Sequence, residues 1–426
     1  MNEMSSNSPG HRHIKRLVVF CDGTWNKEDQ KSQNGEPCPT NVLRLFELTR
    51  TDDGGCPQIA YYGRGVGTRW DERILGGAFG YGISDNIKDA YRFLVSNYNS
   101  GDEIFLFGFS RGAFTARSLA GMIYNVGILK REYLHLVDEA FDHYRSTDPS
   151  WRPDSEASVA FRTAYAHEKE EIKFLGVWDT VGALGAPFGV VLGWLLNRFF
   201  PTQFHDTKIS PIILNAYHAA SIDEKRWPFR PTRMQLIETR KREAANLRAA
   251  GDRSKFNYEE VWFPGVHSDV GGGYEDSSLS DCALEWMVDR AKAHGLDVRD
   301  YQDIKSRSFH PNPLATPHDS QTSWYRWTTK IFVYWPRSLL KLIQKNEAQL
   351  VDRVQENGDF VRQIDDSAAL AAKVSEFPIE TDFVTDLSAC AREKLEKDGN
   401  YWPLNLARDK SPKADKSLAS VEAQTV

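Results

Sequence analysis

A serine set between two glycines, Gly108-Phe109-Ser110-Arg111-Gly112, lies where the strand candidate EIFLFGFS (Glu103 to Ser110) gives way to RGAFTARSLAGMIYNVG, which is rich in helix formers. That spacing suits a strained strand-to-helix turn. Neighbouring backbone passes too close to the two glycines for side chains, and the serine Oγ is pushed clear of the sheet. Such a turn needs a strand before it and a helix after it, and the rest of the chain repeats that alternation. RLVVFCDG (Arg16 to Gly23), QIAYYGRG (Gln58 to Gly65) and IKFLGVWDT (Ile172 to Thr180) are further buried-strand candidates, with QLIET (Gln235 to Thr239) and EVWFPG (Glu260 to Gly265) after them. Ile83, Ile87, Ala90, Tyr91 and Leu94 recur at the spacing of a crossover helix laid on a sheet, and Leu279, Cys282, Ala283, Trp286 and Met287 repeat the pattern. The chain therefore belongs to the α/β class, with a mostly parallel sheet flanked by helices and helical insertions over Leu129 to Lys169 as a partial cap.

The alternation fades beyond Gly295, where the sheet is expected to end. The expected organisation is a disordered arm over 1–15, a catalytic α/β domain over 16–295, an appended region or cap over 296–410 and a disordered polar tail over 411–426. Lys and Arg number 53 against 59 Asp and Glu, a net charge of −6, so no general electrostatic grip on nucleic acid is expected. The cysteines (Cys21, Cys38, Cys56, Cys282, Cys390) are scattered without a CxxC pair, which suggests neither a disulfide framework nor a cysteine zinc site and fits a reducing compartment. MNEMSSNSPGHRHIKR lacks the apolar core of a signal peptide. The longest apolar stretch, Phe188 to Phe200, carries Arg198 and falls short of the roughly 20 residues that span a bilayer. A cytoplasmic location is expected, with secretion independent of a signal peptide left open.

A serine hydroxyl is almost wholly protonated at neutral pH, so Ser110 as a nucleophile needs a base within hydrogen-bond reach and an acid to orient that base. Asp179, at the end of IKFLGVWDT, and His267, in the glycine-rich loop VHSDVGGGY, follow Ser110 in the chain order serine, acid, histidine. Rivals exist for both. His318 in the late loop PHDS is an alternative base, His218 reads as a core histidine at helical spacing between Leu214 and Ile222, and Asp223 in SIDEKR is an alternative acid. The N–H of Arg111, at the helix start, is one candidate oxyanion donor; a backbone N–H around Gly23 or Thr24, in the DGTWN segment after the first strand, is the other. Asp22 and Asp269 are candidate supporting residues of these loops, and for Asp22 an Asx-type turn that closes the strand is the alternative.

Other motifs carry less. DGT also occurs in the DxDGT motif of haloacid-dehalogenase phosphatases, but Phe20 stands where their nucleophilic aspartate would be. GGAFGYG (Gly76 to Gly82) lacks the Lys-Ser or Lys-Thr of a P-loop and reads as a flexible loop. No HExxH, histidine cluster or cysteine pair points to a metal, so neither metal nor cofactor is expected. Phe188 to Phe200 and the aromatic run Trp324 to Trp335 read either as core or as surfaces that dock on lipid, so transient contact with a membrane surface is kept among the expected partners. TRKREAANLRAAGDRSK reads as a solvated helix face.

Taken in order, VVFCDGTWN, TNVLRLFELT, QIAYYGRGVGT, IFLFGFSRGAFTAR, FLGVWDTVGALG, ASIDEKRWPFRPT and WFPGVHSDVGGGY resemble a family of α/β-hydrolase-like proteins in bacteria and fungi that includes phospholipase effectors of the type VI secretion system. The likeness runs roughly from Arg16 to Gly295. It implies an α/β-hydrolase fold with Ser110 as nucleophile, Asp179 as acid and His267 as base, and an ester or phospholipid substrate. It identifies no secretion or immunity partner. The expected function is a serine hydrolase of carboxylic esters that works through an acyl-enzyme. The alternatives are a hydrolase-like binding protein without turnover and a metal-dependent phosphate-ester hydrolase using Asp22.

Overall fold

In the computed structural model of the protein, the described residues are 14–23, 31, 34–51, 55–65, 78–168, 170–181, 208–226, 229, 231–236, 257–306, 308–320, 384–399, 401 and 403. The strands, in chain order, are β1 (Arg16–Cys21), β2 (Gln58–Gly63), β3 (Glu103–Phe109), β4 (Ile172–Trp178), β5 (Lys208–Ile209), β6 (Asn215–Ser221), β7 (Gln235–Leu236), β8 (Asn257–Phe263) and β9 (Val384–Leu387). The helices are α1 (Asn41–Leu48), α2 (Ala78–Asn97), α3 (Arg111–Val126), α4 (Val137–Arg145), α5 (Glu156–Tyr165), α6 (His267–Gly271), α7 (Ser278–Ala293) and α8 (Ala389–Lys397). Among the described residues, a 7-stranded sheet runs in the order β2-β1-β3-β4-β6-β8-β9, and every pairing in it is parallel. β5 and β7 pair separately.

Parallel strands covered on both faces must be apolar on both, which is why the sequence shows unbroken apolar runs rather than alternation. The two faces are nonetheless distinct. Leu17 and Val19 of β1, Ile104 and Leu106 of β3 and Leu175 and Val177 of β4 pack with α2, α3, α4 and α5. Val18 and Phe20, Phe105, Phe107 and Phe109, and Phe174 and Trp178 pack on the other face with α1 and α7. That second face carries an aromatic row across four strands: Phe20 stacks on Phe107 with centroids 5.2 Å apart, Phe107 meets Phe174 at 5.3 Å, and Phe174 stacks on Tyr217 at 5.1 Å. Burying each such ring stabilises the fold by roughly 1.5–3 kcal/mol, so this row contributes strongly to holding the four strands together.

Three expectations need correction. Residues Leu214 to Ile222 form no helix: Asn215 to Ser221 are strand β6, every one of them buried. An alanine-containing strand covered on both faces has no period-2 signature, and chance apolar residues four apart then imitate a helix. The sheet does not end near Gly295, because β9 joins it beside β8. The glycine-rich stretch read as a loop over Gly76 to Gly82 enters α2 at Ala78. The segments Phe188 to Phe200, Trp324 to Trp335 and Thr239 to Lys255 lie outside the described residues. No described helix is long and apolar enough to cross a membrane.

Candidate active site

Ser110 sits between β3 and α3 with a φ of 58°, in the left-handed region that non-glycine residues seldom occupy. The flanking glycines explain how the turn closes. A Cβ at Gly112 would lie 2.1 Å from the Cys21 carbonyl oxygen and 2.4 Å from that of Asp22, and one at Gly108 would lie 2.5 Å from the Gly112 oxygen. The turn is thus pressed directly against the carboxyl end of β1, its neighbour in the sheet. The Ser110 N–H donates to the Trp178 carbonyl of β4 (3.0 Å), which fixes the turn from the other side.

The side chains of Ser110, His267 and Asp179 meet there. Ser110 Oγ is 2.8 Å from His267 Nε2, and His267 Nδ1 is 2.5 Å from Asp179 Oδ2. An ionised carboxylate only accepts, so the Nδ1 hydrogen points to Asp179 and leaves the Nε2 lone pair for the serine hydroxyl. Ser110 is 5% exposed, His267 4% and Asp179 0%. Burial pushes the His267 imidazole below its ordinary pKa, and the hydrogen bond and charge of Asp179 oppose that shift. The rings of Phe109 and Phe229 flank the imidazole, with centroids 4.6 and 4.9 Å away.

Asp179 is itself at a φ of 34°. Its N–H donates to the Ala219 carbonyl (2.7 Å), and its Oδ1 accepts the Ser221 N–H (3.0 Å), so β6 holds both the backbone and the carboxylate. His267 opens α6, and its N–H donates to the buried Glu224 (3.2 Å). Glu224 also accepts from Arg226 Nε and Nη2 and from the Ser320 hydroxyl (3.0 Å). The sequence reading missed Glu224. Acidic residues in a polar loop such as SIDEKR look solvent-facing, and only the folded chain shows this one buried.

The rival residues lie elsewhere. Asp223 accepts from the Gly265 N–H (2.7 Å) and the Tyr401 hydroxyl (2.7 Å), and burial raises its pKa to about 6. His318 Nδ1 is 2.6 Å from Asp269 Oδ1, and that hydrogen bond raises the His318 pKa. Asp269 Oδ2 accepts the Val266 N–H (2.9 Å), so this residue caps α6 and ties it to the 318 loop. His218 is a buried core histidine, on strand β6 rather than on a helix.

Asp22 accepts from the Thr40 hydroxyl (2.7 Å), the Tyr62 hydroxyl (2.5 Å) and the Gly23 N–H (2.6 Å). Thr40 also caps α1 by accepting the Leu43 N–H, so Asp22 joins the end of β1 to α1 and β2. The Gly23 N–H therefore points at Asp22, and Thr24 lies outside the described residues. Arg111 supplies the first N–H of α3. Among the described residues, no group of His, Cys, Asp and Glu side chains is arranged to hold a metal ion.

Residues 15–290 match the family described as "T6SS, Phospholipase effector Tle1-like, catalytic domain". An uncharacterised protein of Saccharomyces cerevisiae is 31% identical over 251 residues, covering 54% of this chain and 34% of the yeast protein. Solved structures with some likeness include an uncharacterised Pseudomonas aeruginosa protein (18% identity, TM-score 0.43, 79% of this chain and 55% of that one). Another is the Tle1 effector bound to the VgrG spike of the type 6 secretion system (19%, TM-score 0.34, 62% and 52%). A third is a propionate-bound esterase of Thermogutta terrifontis (13%, TM-score 0.32, 68% and 87%). The chain spans about a third of the yeast relative's length and about half of the length of the first two of these structures. The parallel sheet flanked by helices, with a serine on a sharp β3–α3 turn, is an α/β-hydrolase-like architecture. On the match over residues 15–290, the chain belongs to the Tle1-like phospholipase effector catalytic-domain family of the type VI secretion system.

Proposed function

We propose that the protein is a serine hydrolase that cleaves carboxylic esters, with lipids or phospholipids as its substrate class. The observation that carries this reading is the unbroken hydrogen-bond line from Ser110 Oγ through the His267 ring to Asp179. In this reading His267 Nε2 takes the serine proton as Oγ attacks the ester carbonyl, and Asp179 stabilises the imidazolium that forms. The tetrahedral oxyanion faces the Arg111 N–H at the start of α3, where the helix dipole favours negative charge. The Gly23 N–H is engaged by Asp22, so the second donor in this reading is the Thr24 N–H. Collapse expels the alcohol, which leaves with the proton from Nε2. Water, deprotonated by the same nitrogen, then releases the acid and restores Ser110.

The lipid preference rests on the family description. The test is hydrolysis of soluble short-chain esters and of phosphatidylcholine and phosphatidylglycerol vesicles by the wild type and by Ser110→Ala. Turnover of an ester and of a phospholipid by the wild type alone is expected. Ester turnover without phospholipid turnover would remove the lipid assignment. Phosphatase activity that is sensitive to chelator and survives Ser110→Ala would replace the serine mechanism with the metal-dependent one.

A further inference from the structure

His218 and Glu260 stand outside the proton line described above, yet their exposures are 0% and 1%. They face each other in register across β6 and β8, which brings His218 Nδ1 to 3.0 Å from Glu260 Oε2. The other ring nitrogen, Nε2, accepts the Thr180 N–H at 3.1 Å. A backbone N–H can bond only to a ring nitrogen that has a lone pair, so Nε2 is bare and the hydrogen sits on Nδ1, donated to Glu260. Arg233 Nε donates to Glu260 Oε1 (2.6 Å) and the Met234 N–H to Oε2 (3.0 Å). Arg233 therefore pairs with the carboxylate on the oxygen that the ring does not take.

What His218 grips is the residue next to Asp179, whose φ of 34° an L-amino acid adopts only under constraint. Thr180 is held through its backbone. Its hydroxyl has no hydrogen-bond partner among the described residues, whereas its carbonyl accepts the Thr232 N–H at 2.8 Å. Arg117 of α3 in turn donates to the carbonyls of Thr232 (2.5 Å) and Arg233 (3.1 Å). Glu260 thus ties together both neighbours of Thr180, the ring on β6 and the 232–234 segment.

We propose that His218, set in its Nδ1–H tautomer by Glu260, is a positioning residue: it pins the Thr180 backbone and so keeps Asp179 in the turn that aims Oδ2 at His267. This rests on the reading of Ser110, His267 and Asp179 as the reacting group. His218 touches no substrate. Its effect falls on the geometry of the acid, and a misplacement of about 1 Å in such an assembly can cost on the order of a hundredfold in rate.

The test compares two substitutions that separate the ring's two ends. His218→Asn retains a donor near Nδ1 for Glu260 and loses the acceptor for Thr180, whereas His218→Gln sets an amide oxygen near the position of Nε2. With a fluorophosphonate probe, His218→Asn is expected to label about 10–100-fold more slowly than the wild type, and its kcat on a soluble ester to fall with KM unchanged. His218→Gln is expected to recover most of that loss. Labelling of His218→Asn at the wild-type rate, or equal loss in both variants, would overturn the proposal while leaving Ser110 as nucleophile. Failure of the wild type to label would overturn both. A measurement on the native protein covers the case in which His218→Asn does not fold: the ¹⁵N shifts of His218 should report Nδ1 protonated and Nε2 bare, and an Nε2–H tautomer or an imidazolium would refute the assignment.

Discussion

Ser110 and Asp179, at φ 58° and 34°, are the non-glycine residues with positive φ among the described ones. Strain of this kind costs on the order of 1–3 kcal/mol per residue and persists where the surroundings over-determine it. Here the constraints are the pressed glycine turn on one side and the β6 hydrogen bonds on the other. The titration of His267 follows from its setting. Burial lowers its pKa, so the imidazole is neutral from about pH 6.5 upward and takes a proton only below that ordinary value. The pH profile of kcat/KM is therefore expected to show an acid limb with its midpoint below pH 6.5. In Asp179→Asn the raising influence is gone, so the limb should move further to the acid side, while kcat drops by about 10⁴ through loss of the correct tautomer. A limb above pH 7, or one that moves up in Asp179→Asn, would point to a different base. Ser110 is legible from sequence because its glycines announce the turn. That His267 pairs with Asp179 and not with Asp223 is not, since each follows a strand and β4 and β6 are neighbours in the sheet. The positions of Glu224 and His218 depend on pairing across residues 42 or more apart, which no local pattern encodes.

At the scale of elements, the joint between β1 and the β3–α3 turn is the tightest packing of backbone in the site. Gly112→Ala would drive a methyl group into two carbonyl oxygens of Cys21 and Asp22, which cannot retreat because β1 is paired on both sides. The expected result is a loss of more than about 3 kcal/mol in stability, or no soluble protein, read by chemical denaturation. Wild-type stability in Gly112→Ala would contradict the described approach of the two turns. The elements themselves are uneven in legibility. β1, β3 and β4 stand out as compact apolar runs ended by turn residues, and α2 as a clean stripe. β6 escapes because Ala216, Ala219 and Ala220 fit helix or strand equally, so its strand character comes from parallel partners on both sides. β9 escapes because four residues are too few for a periodicity to register.

On the scale of the whole molecule, residues beyond 295 bond to the loops around His267. Tyr401 reaches Asp223, His318 reaches Asp269 and Ser320 reaches Glu224, while within this part of the chain the buried Lys394 of α8 donates to the Ala315 carbonyl (2.7 Å). This part of the chain reads as an appendage from sequence because the strand–helix alternation stops, yet its anchors sit beside His267. Asp223 gives the anchoring a pH signature. Its pKa in the fold is raised to about 6, mainly by burial, against about 3.9 in an unfolded chain. The folded state therefore retains a proton between those values, and stability falls as pH rises through that window, leaving the full cost of a buried carboxylate above pH 6. Asp223→Asn removes the charge while keeping an acceptor for Tyr401. It should raise the stability at pH 8 by on the order of 1–3 kcal/mol, read as a higher melting temperature, with the gain vanishing near pH 4. A lower melting temperature at pH 8 would show that the charged form is the stabilising one.

The central claim is that the hydroxyl on the β3–α3 turn is the group that forms a covalent bond with substrate. Peptide mapping by mass spectrometry after reaction of the native protein with a fluorophosphonate tests it most directly. One phosphonate on the peptide carrying Ser110, abolished in His267→Ala, is the result this account requires. An adduct on another residue, or an unmodified Ser110 in folded protein, would contradict it.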